Sequence, residues 1–163
     1  MGDNWAHPSL DGVWKQARAV RLVLKMCDPK LCRKLDAFDR VGTRGRDDVL
    51  KAQPLAFLFA PIFLRLKREM FNLQEAMRLW EVCWAHGRHF HVLVLAAFVR
   101  AERRFILGLA DDQQFECHQH FGKLHETLRA EPLLVAARQL HARAKITQAL
   151  EETLGVMEKA RIV

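Results

Sequence analysis

The sequence predicts an all-α fold, and three observations carry the prediction. Apolar residues recur at three- and four-residue spacing through most of the chain. Glycine and proline are scarce, eight and five in 163 residues, too few to punctuate the short strands of a sandwich or barrel. No stretch alternates apolar and polar residues over a strand's length. With 50% hydrophobic residues, ten Phe and four Trp, the chain can bury a real core and has about one domain's length.

The elements follow in order. Val13, Ala17, Val20 and Leu24 share one face, with Lys15, Arg18, Arg21 and Lys25 largely on others, so an amphipathic helix with a basic outer side is expected from Val13 to Met26. In "CDPKLCRKL", Asp28 is a natural N-cap and Pro29 fits the first helical position, opening a short second helix. The polar segment from Phe38 to Gln53, with two glycines and no sustained period, reads as a mobile loop. Pro54 starts a buried helix through the apolar Leu55 to Leu64 and on into the charged "RLKRE". Pro61, which lacks an amide hydrogen and disfavours α geometry at Ala60, should kink or restart it.

Asn72 and Glu75 have the spacing of a capping box. Beyond them Leu73, Ala76, Met77, Trp80, Cys83 and Trp84 fall on one helical face, which places both tryptophans inward. A helix from Phe90 to Leu107 is apolar at its centre and must be covered on nearly every side. Asp111 and Asp112 can cap the next, through "QQFECHQHFGKLHETL", and Glu131–Pro132 starts an Ala-rich one. The last residues, "EETLGVMEKARIV", are its end or a separate turn. The total is about six to seven helices, of ordinary length.

The formal charge of +7 and pI near 9.6 favour acidic partners. Basic residues are nevertheless interleaved with Asp and Glu, and no helix-turn-helix, RNA-recognition or zinc-finger pattern accompanies them, so nucleic acid is not expected as a partner. Four scattered cysteines read as free, mostly buried thiols rather than a disulfide framework. Cys83 with His86, His89 and His91, and Cys117 with His118 and His120, match no paired zinc spacing, so no metal is expected. No Ser-His-Asp set, phosphate-binding Gly-rich loop or dinucleotide fingerprint occurs, so neither an independent enzyme nor a cofactor is expected. The N-terminus shows no basic and apolar secretory pattern, position six is Ala6 rather than a myristoylation Ser or Thr, and no apolar run approaches the roughly 20 residues of a membrane span. A soluble, cytoplasmic chain is the expectation.

One stretch exceeds ordinary core packing. "LKREMFNLQEAMRLWEVCWA" resembles the C-terminal half of the TBC domain of Rab GTPase-activating proteins, where Phe-Lys-Arg-Glu-Phe is followed by Leu-Arg-Leu-Trp-Glu-Val-Leu-Trp. Lys67, Arg68 and Glu69 match the charged triplet; Arg78, Leu79, Trp80, Glu81, Val82 and Trp84 match the tryptophan motif, with Met77 in place of Leu. Upstream, Asp28-Pro29 falls where the family has Asp-Pro-x-Leu between two helices, and Phe59 aligns with its Phe-x-Phe-Arg-Trp-Leu-Leu, although the Arg-Trp pair is lost at Ala60-Pro61. "FHVLVLAAFVRAERRFIL" resembles the family's following helix. The resemblance covers residues 13–145, leaving 1–12 as a tail and 146–163 as a helical extension.

The resemblance implies the C-terminal subdomain of a TBC domain, a Rab-type small GTPase as partner, and a place in vesicle trafficking, with membranes reached only through the GTPase at the periphery of endomembranes. The signature residues are implied to be mainly structural. Family members supply an Arg within Ile-x-x-Asp-x-x-Arg and a Gln within Tyr-x-Gln to the hydrolysis transition state. Neither motif occurs here and the chain has no Tyr, so no catalytic residue is carried over and the chain is expected not to activate GTP hydrolysis alone. Arg44 and Arg46, in the polar segment, read as solvated charges. An unpaired apolar face would favour self-association. The alternative is a helical scaffold module whose basic surface meets an acidic partner.

Overall fold

The structure, a computed structural model, describes residues 10–42, 55–87 and 89–159, with side chains described to residue 39 in the first segment and to residue 154 in the last. Among these residues the fold is all-α. In chain order the helices are α1 (Asp11–Cys27), α2 (Pro29–Gly42), α3 (Phe59–Phe63), α4 (Leu73–Ala85), α5 (Phe90–Ala101), α6 (Arg103–Gly108), α7 (Gln114–Lys123), α8 (Ala130–His141) and α9 (Ala144–Lys159). A 3-10 turn, Ala56–Leu58, precedes α3.

These nine helices exceed the six to seven expected for two local reasons. The Phe90–Leu107 helix breaks at Glu102, where α5 ends and α6 begins. The C-terminal segment forms a helix of its own, with Ile146 and Leu150 in the core and α9 packed on α1.

Helix α5 is the centre of the molecule. Every residue from Val92 to Val99 is buried, because α1 and α8 cover it on two sides and α4 and α6 close parts of the rest. Phe98, edge-on to Phe121 at 5.3 Å, ties α5 to α7, and Phe57 stacks on Phe121 at 4.3 Å. Polar groups orient the periphery. Asp28 Oδ1 accepts the Leu31 N–H at 3.1 Å and caps α2, while Arg103 Nε donates to Asp28 Oδ2 at 2.6 Å. Burial opposes ionisation of Asp28, but Arg103, the Leu31 amide and the neighbouring Arg100 charge outweigh it and hold the carboxyl below its usual value.

Several local expectations are corrected. Helix α2 continues to Gly42, so the first residues assigned to the loop are helical; the remainder, with Arg44, Arg46 and Pro54, lies outside the described residues. The apolar segment gives the 3-10 turn and the short α3 rather than one long helix. Pro61 sits in the first turn of α3, where its missing N–H costs little. From Leu64 to Glu69 the chain turns, with Arg65 at φ 52° and Leu66 at φ 59°, so the helix does not run into "RLKRE". Asp111 and Asp112 do not cap α7, which has no side-chain cap: Asp111 instead pairs with Lys34 at 2.6 Å. The chain then leaves α7 at Lys123, and Phe71 N–H donates to Leu128 O at 2.8 Å beside a lone parallel bridge between Met70 and Leu128.

Candidate functional site: the turn before α4 and its outer face

The strongest sequence motif folds into one corner. The left-handed Arg65–Leu66 pair costs about 1–2 kcal/mol per residue, and the surroundings hold it in place. Trp80 Nε1 donates to Arg65 O at 2.9 Å, and Leu66, 2% exposed, is pulled into the core. Glu69 follows at 0% exposure. Its Oε1 receives Arg68 Nε at 3.1 Å and Nη2 at 3.0 Å, its carbonyl accepts the Thr127 and Leu128 amides, and Oε2 has no hydrogen-bond partner among the described residues. A buried carboxylate of this kind needs its cation, which makes Arg68 and Glu69 one structural unit. Lys67 beside them is exposed.

The capping box at α4 is half made. Asn72 Oδ1 accepts the Glu75 N–H at 2.9 Å, as the spacing requires. The Glu75 carboxylate, however, does not return to Asn72: its Oε2 accepts the Ala130 N–H at 2.7 Å, so it caps α8. Arg78 pairs with Glu131 at 2.8 Å alongside. The N-termini of α4 and α8 are thus latched side by side by residues from both.

This latch sets how α4 is rolled. Ala76 and Leu79 are buried and Cys83 is partly buried, its thiol pushed up to about 11 by burial. Trp80 is half-buried. Trp84 is 63% exposed, Leu73 52% and Met77 48%, so the expectation that both tryptophans face inward fails for Trp84. With about 3.6 residues per turn, the apolar residues of α4 from Val82 round to Met77 spread over more than half its circumference, and α8 and α5 cover only one edge of that arc. Leu73, Met77 and Trp84 are left as an outward stripe. Phe71, 47% exposed, extends it, with the Arg129 guanidinium 3.7 Å above its ring.

Of the other expected signature residues, Asp28 is the α2 cap described above and Pro29 is exposed at the first helical position. Phe59 lies between Trp14 (6.0 Å) and Phe63 (5.6 Å), and Glu81 is exposed. Leu79 through Glu69 therefore divide into core, latch and surface, and the outward role of Leu73, Met77 and Phe71 was not read from the sequence. Its signal was the width of the apolar arc.

The histidine and cysteine side chains of the two clusters find different neighbours. His86 lies tilted against Phe90 at 4.3 Å, His91 meets Gln16 at 2.9 Å, and His120 meets Glu102 at 2.7 Å while stacking on Phe105. Cys117 is buried and pushed up to about 12. Among the described residues no three His, Cys, Asp or Glu side chains form a metal-holding group. His86, His89 and His141 line a cavity of about 300 Å³ with Phe90, Leu93 and Glu151. No described helix is long and apolar enough to cross a membrane.

The chain is 30% identical over 152 residues to human TBC1 domain family member 17, covering 90% of this chain and 21% of that protein. It is 37% identical over 83 residues to human TBC1 domain family member 16, covering 48% of this chain and 10% of that protein. Against the GTPase-activating protein gyp7 of Schizosaccharomyces pombe it is 26% identical over 129 residues, covering 78% of this chain and 16% of that protein. The chain therefore spans about a fifth of the length of these relatives, or less. No protein-family model matches it.

Proposed function

The chain belongs to the TBC (Rab-GAP) domain family, and from that premise we propose that it binds a Rab-type small GTPase through the outer face of α4 without accelerating GTP hydrolysis by itself. The observation that carries the reading is the stripe of Leu73, Met77 and Trp84: three large apolar side chains on the family's tryptophan helix, about half exposed or more. Such contiguous surface on a rigid helix favours a protein partner, and an aromatic anchor beside an Arg, here Trp84, Phe71 and Arg129, is the composition of binding hot spots. Arg68, Glu69, Leu79 and Trp80 hold that helix, and Asp28 and Phe59 belong to the scaffold behind it, rather than touch the GTPase.

Catalysis is assigned elsewhere on chemical grounds. Rapid hydrolysis needs a cation on the transferring phosphoryl and a group orienting the attacking water. These 163 residues hold no Tyr-x-Gln and no Ile-x-x-Asp-x-x-Arg, so neither group is supplied in the family's manner. We assign residues 13–145 to the TBC portion, 1–12 to a tail and 146–163 to an extension, and place the protein in the cytoplasm, meeting membranes through its GTPase in vesicle trafficking. The same stripe offers a second copy a docking face, which gives self-association in the absence of GTPase.

Binding to a panel of Rab-type GTPases loaded with a non-hydrolysable GTP analogue tests the reading. Wild type binds at least one member, and Trp84→Glu weakens that binding by about tenfold or more with the fold intact by circular dichroism. Absence of binding across the panel, or binding indifferent to Trp84→Glu and Met77→Glu, overturns it.

A further inference from the structure

A second feature lies past the end of α4, where residues of α5, α8 and α9 join the end of α4 around the cavity of about 300 Å³, a volume at the small end of ligand pockets. Its floor is apolar, since Phe90, Leu93 and Leu150 are buried. Its rim is polar and open, with His86, His141 and Glu151 all exposed. The two imidazoles frame the floor: His86 is tilted against Phe90 at 4.3 Å, His141 stands edge-on to it at 5.7 Å, and 6.1 Å separates the two. At the edge Gly87, whose φ of 96° calls for glycine, brings no side chain to close the mouth, and a Cβ there would meet no atom within 4 Å.

The hydrogen-bonding roles that the geometry fixes at this rim are one-sided. His86 Nδ1 lies 3.0 Å from Val82 O. A carbonyl only accepts, so Nδ1 carries the hydrogen and, in the neutral ring, Nε2 is left as an acceptor. Thr147 donates its hydroxyl hydrogen to His141 O at 2.9 Å, which leaves that hydroxyl with acceptor lone pairs alone. Glu151 enters no ion pair among the described residues, whereas its neighbour Glu152 accepts Gln148 Nε2 at 2.9 Å. The wall thus offers acceptors and a negative charge above an apolar floor, and a fitting ligand brings donors, a positive charge and an apolar body. An oxyanion would meet lone pairs there, and among the described residues no three His, Cys, Asp or Glu side chains form a metal-holding group.

We infer that this cavity binds a small organic amine: Glu151 and His86 Nε2 receive the ammonium hydrogens, and the carbon skeleton rests on Phe90, Leu93 and Leu150. Hydrogen bonds between an ammonium and a carboxylate are of the strong, charge-assisted kind, and a few placed polar groups over an apolar floor are the ordinary composition of a small-molecule site. The site is independent of the GTPase-binding face, because Leu73, Met77 and Trp84 take no part in its lining.

The experiment uses the full chain at about pH 8, above the ordinary titration range of imidazole. Histidine ring signals are followed by proton–nitrogen correlation NMR as benzylamine, n-butylamine, benzyl alcohol or benzoate is added at constant ionic strength. Benzylamine and n-butylamine shift the His86 and His141 signals saturably, benzylamine binds at least about tenfold more tightly than benzyl alcohol, and benzoate leaves the signals unmoved. Glu151→Gln, which removes the charge from an exposed side chain, weakens amine binding by about tenfold. Glu152→Gln, outside the lining, leaves it unchanged, as does Met77→Glu, which separates this site from the GTPase-binding face. No saturable shift with either amine, benzyl alcohol binding as tightly as benzylamine, saturable binding of benzoate, or amine binding indifferent to Glu151→Gln overturns the inference.

Discussion

Helices α4 and α5 are both rich in apolar residues, but one is swallowed by the fold and the other only leans against it. Every residue of α5 from Val92 to Val99 is buried, whereas α4 buries Ala76 and Leu79 and leaves Leu73, Met77 and Trp84 about half exposed or more. The difference lies in neighbours rather than in hydrophobicity. Helix α5 is packed by α1 and α8 with α4 and α6 beside them, while α4 sits at an edge held by α8. An apolar side chain on α5 serves stability; the same side chain on the outer arc of α4 is free to serve recognition.

The largest effect that sharpens this contrast is expected at Phe98, fully buried against Phe121. Phe98→Ala should cost about 3–5 kcal/mol by urea denaturation, enough to unfold much of the population at ambient temperature. Within α4 itself, Leu79→Ala should cost about 2–5 kcal/mol, and Trp84→Ala should stay within about 0.5 kcal/mol. Equal costs at the two positions would break the division of α4 into a core edge and a binding edge. Next comes the latch that sets the roll of α4: Glu75→Ala strands the Ala130 N–H and should cost about 1–3 kcal/mol. Glu75→Gln, which keeps an acceptor, should recover part of that loss.

The smallest effects are pH-dependent and of opposite sign. Asp28 is held below its usual value in the fold, so it binds fewer protons folded than unfolded. Its stabilising contribution is present above about pH 4 and is lost as pH falls through the depressed folded value. Asp39 is pushed up to about 6, chiefly by burial. Its contribution is greatest below about pH 4 and declines as pH rises through that folded value. Asp28→Asn should therefore flatten the acid limb of the stability profile, and Asp39→Asn should flatten the decline between about pH 4 and pH 6; thermal melts from pH 3 to 8 read both.

The helical class, the α2 cap at Asp28 and the buried centre of α5 were legible because each depends on local spacing or on a continuous apolar run. The roll of α4 was not. Its apolar arc exceeded what one contact could cover, and which edge the fold would bury depended on Glu75 reaching across to Ala130, a partner 55 residues away. The turn at Arg65–Leu66 was likewise hidden, since neither residue favours positive φ and the conformation is imposed by Trp80 and by the burial of Leu66. The Asp111 side chain left its expected cap because Lys34 offered an ion pair. The signature residues themselves were readable from their wording, but their separation into buried, latching and outward groups emerges only from packing.

The most direct measurement is single-turnover GTP hydrolysis by a Rab-type GTPase that the chain binds, with binding followed on the same samples. The expected result is association that depends on Trp84 and a hydrolysis rate indistinguishable from that of the GTPase alone. Accelerated hydrolysis would contradict it, and would mean that an arginine of this chain, with Arg44 and Arg46 the first to substitute, reaches the transferring phosphoryl group.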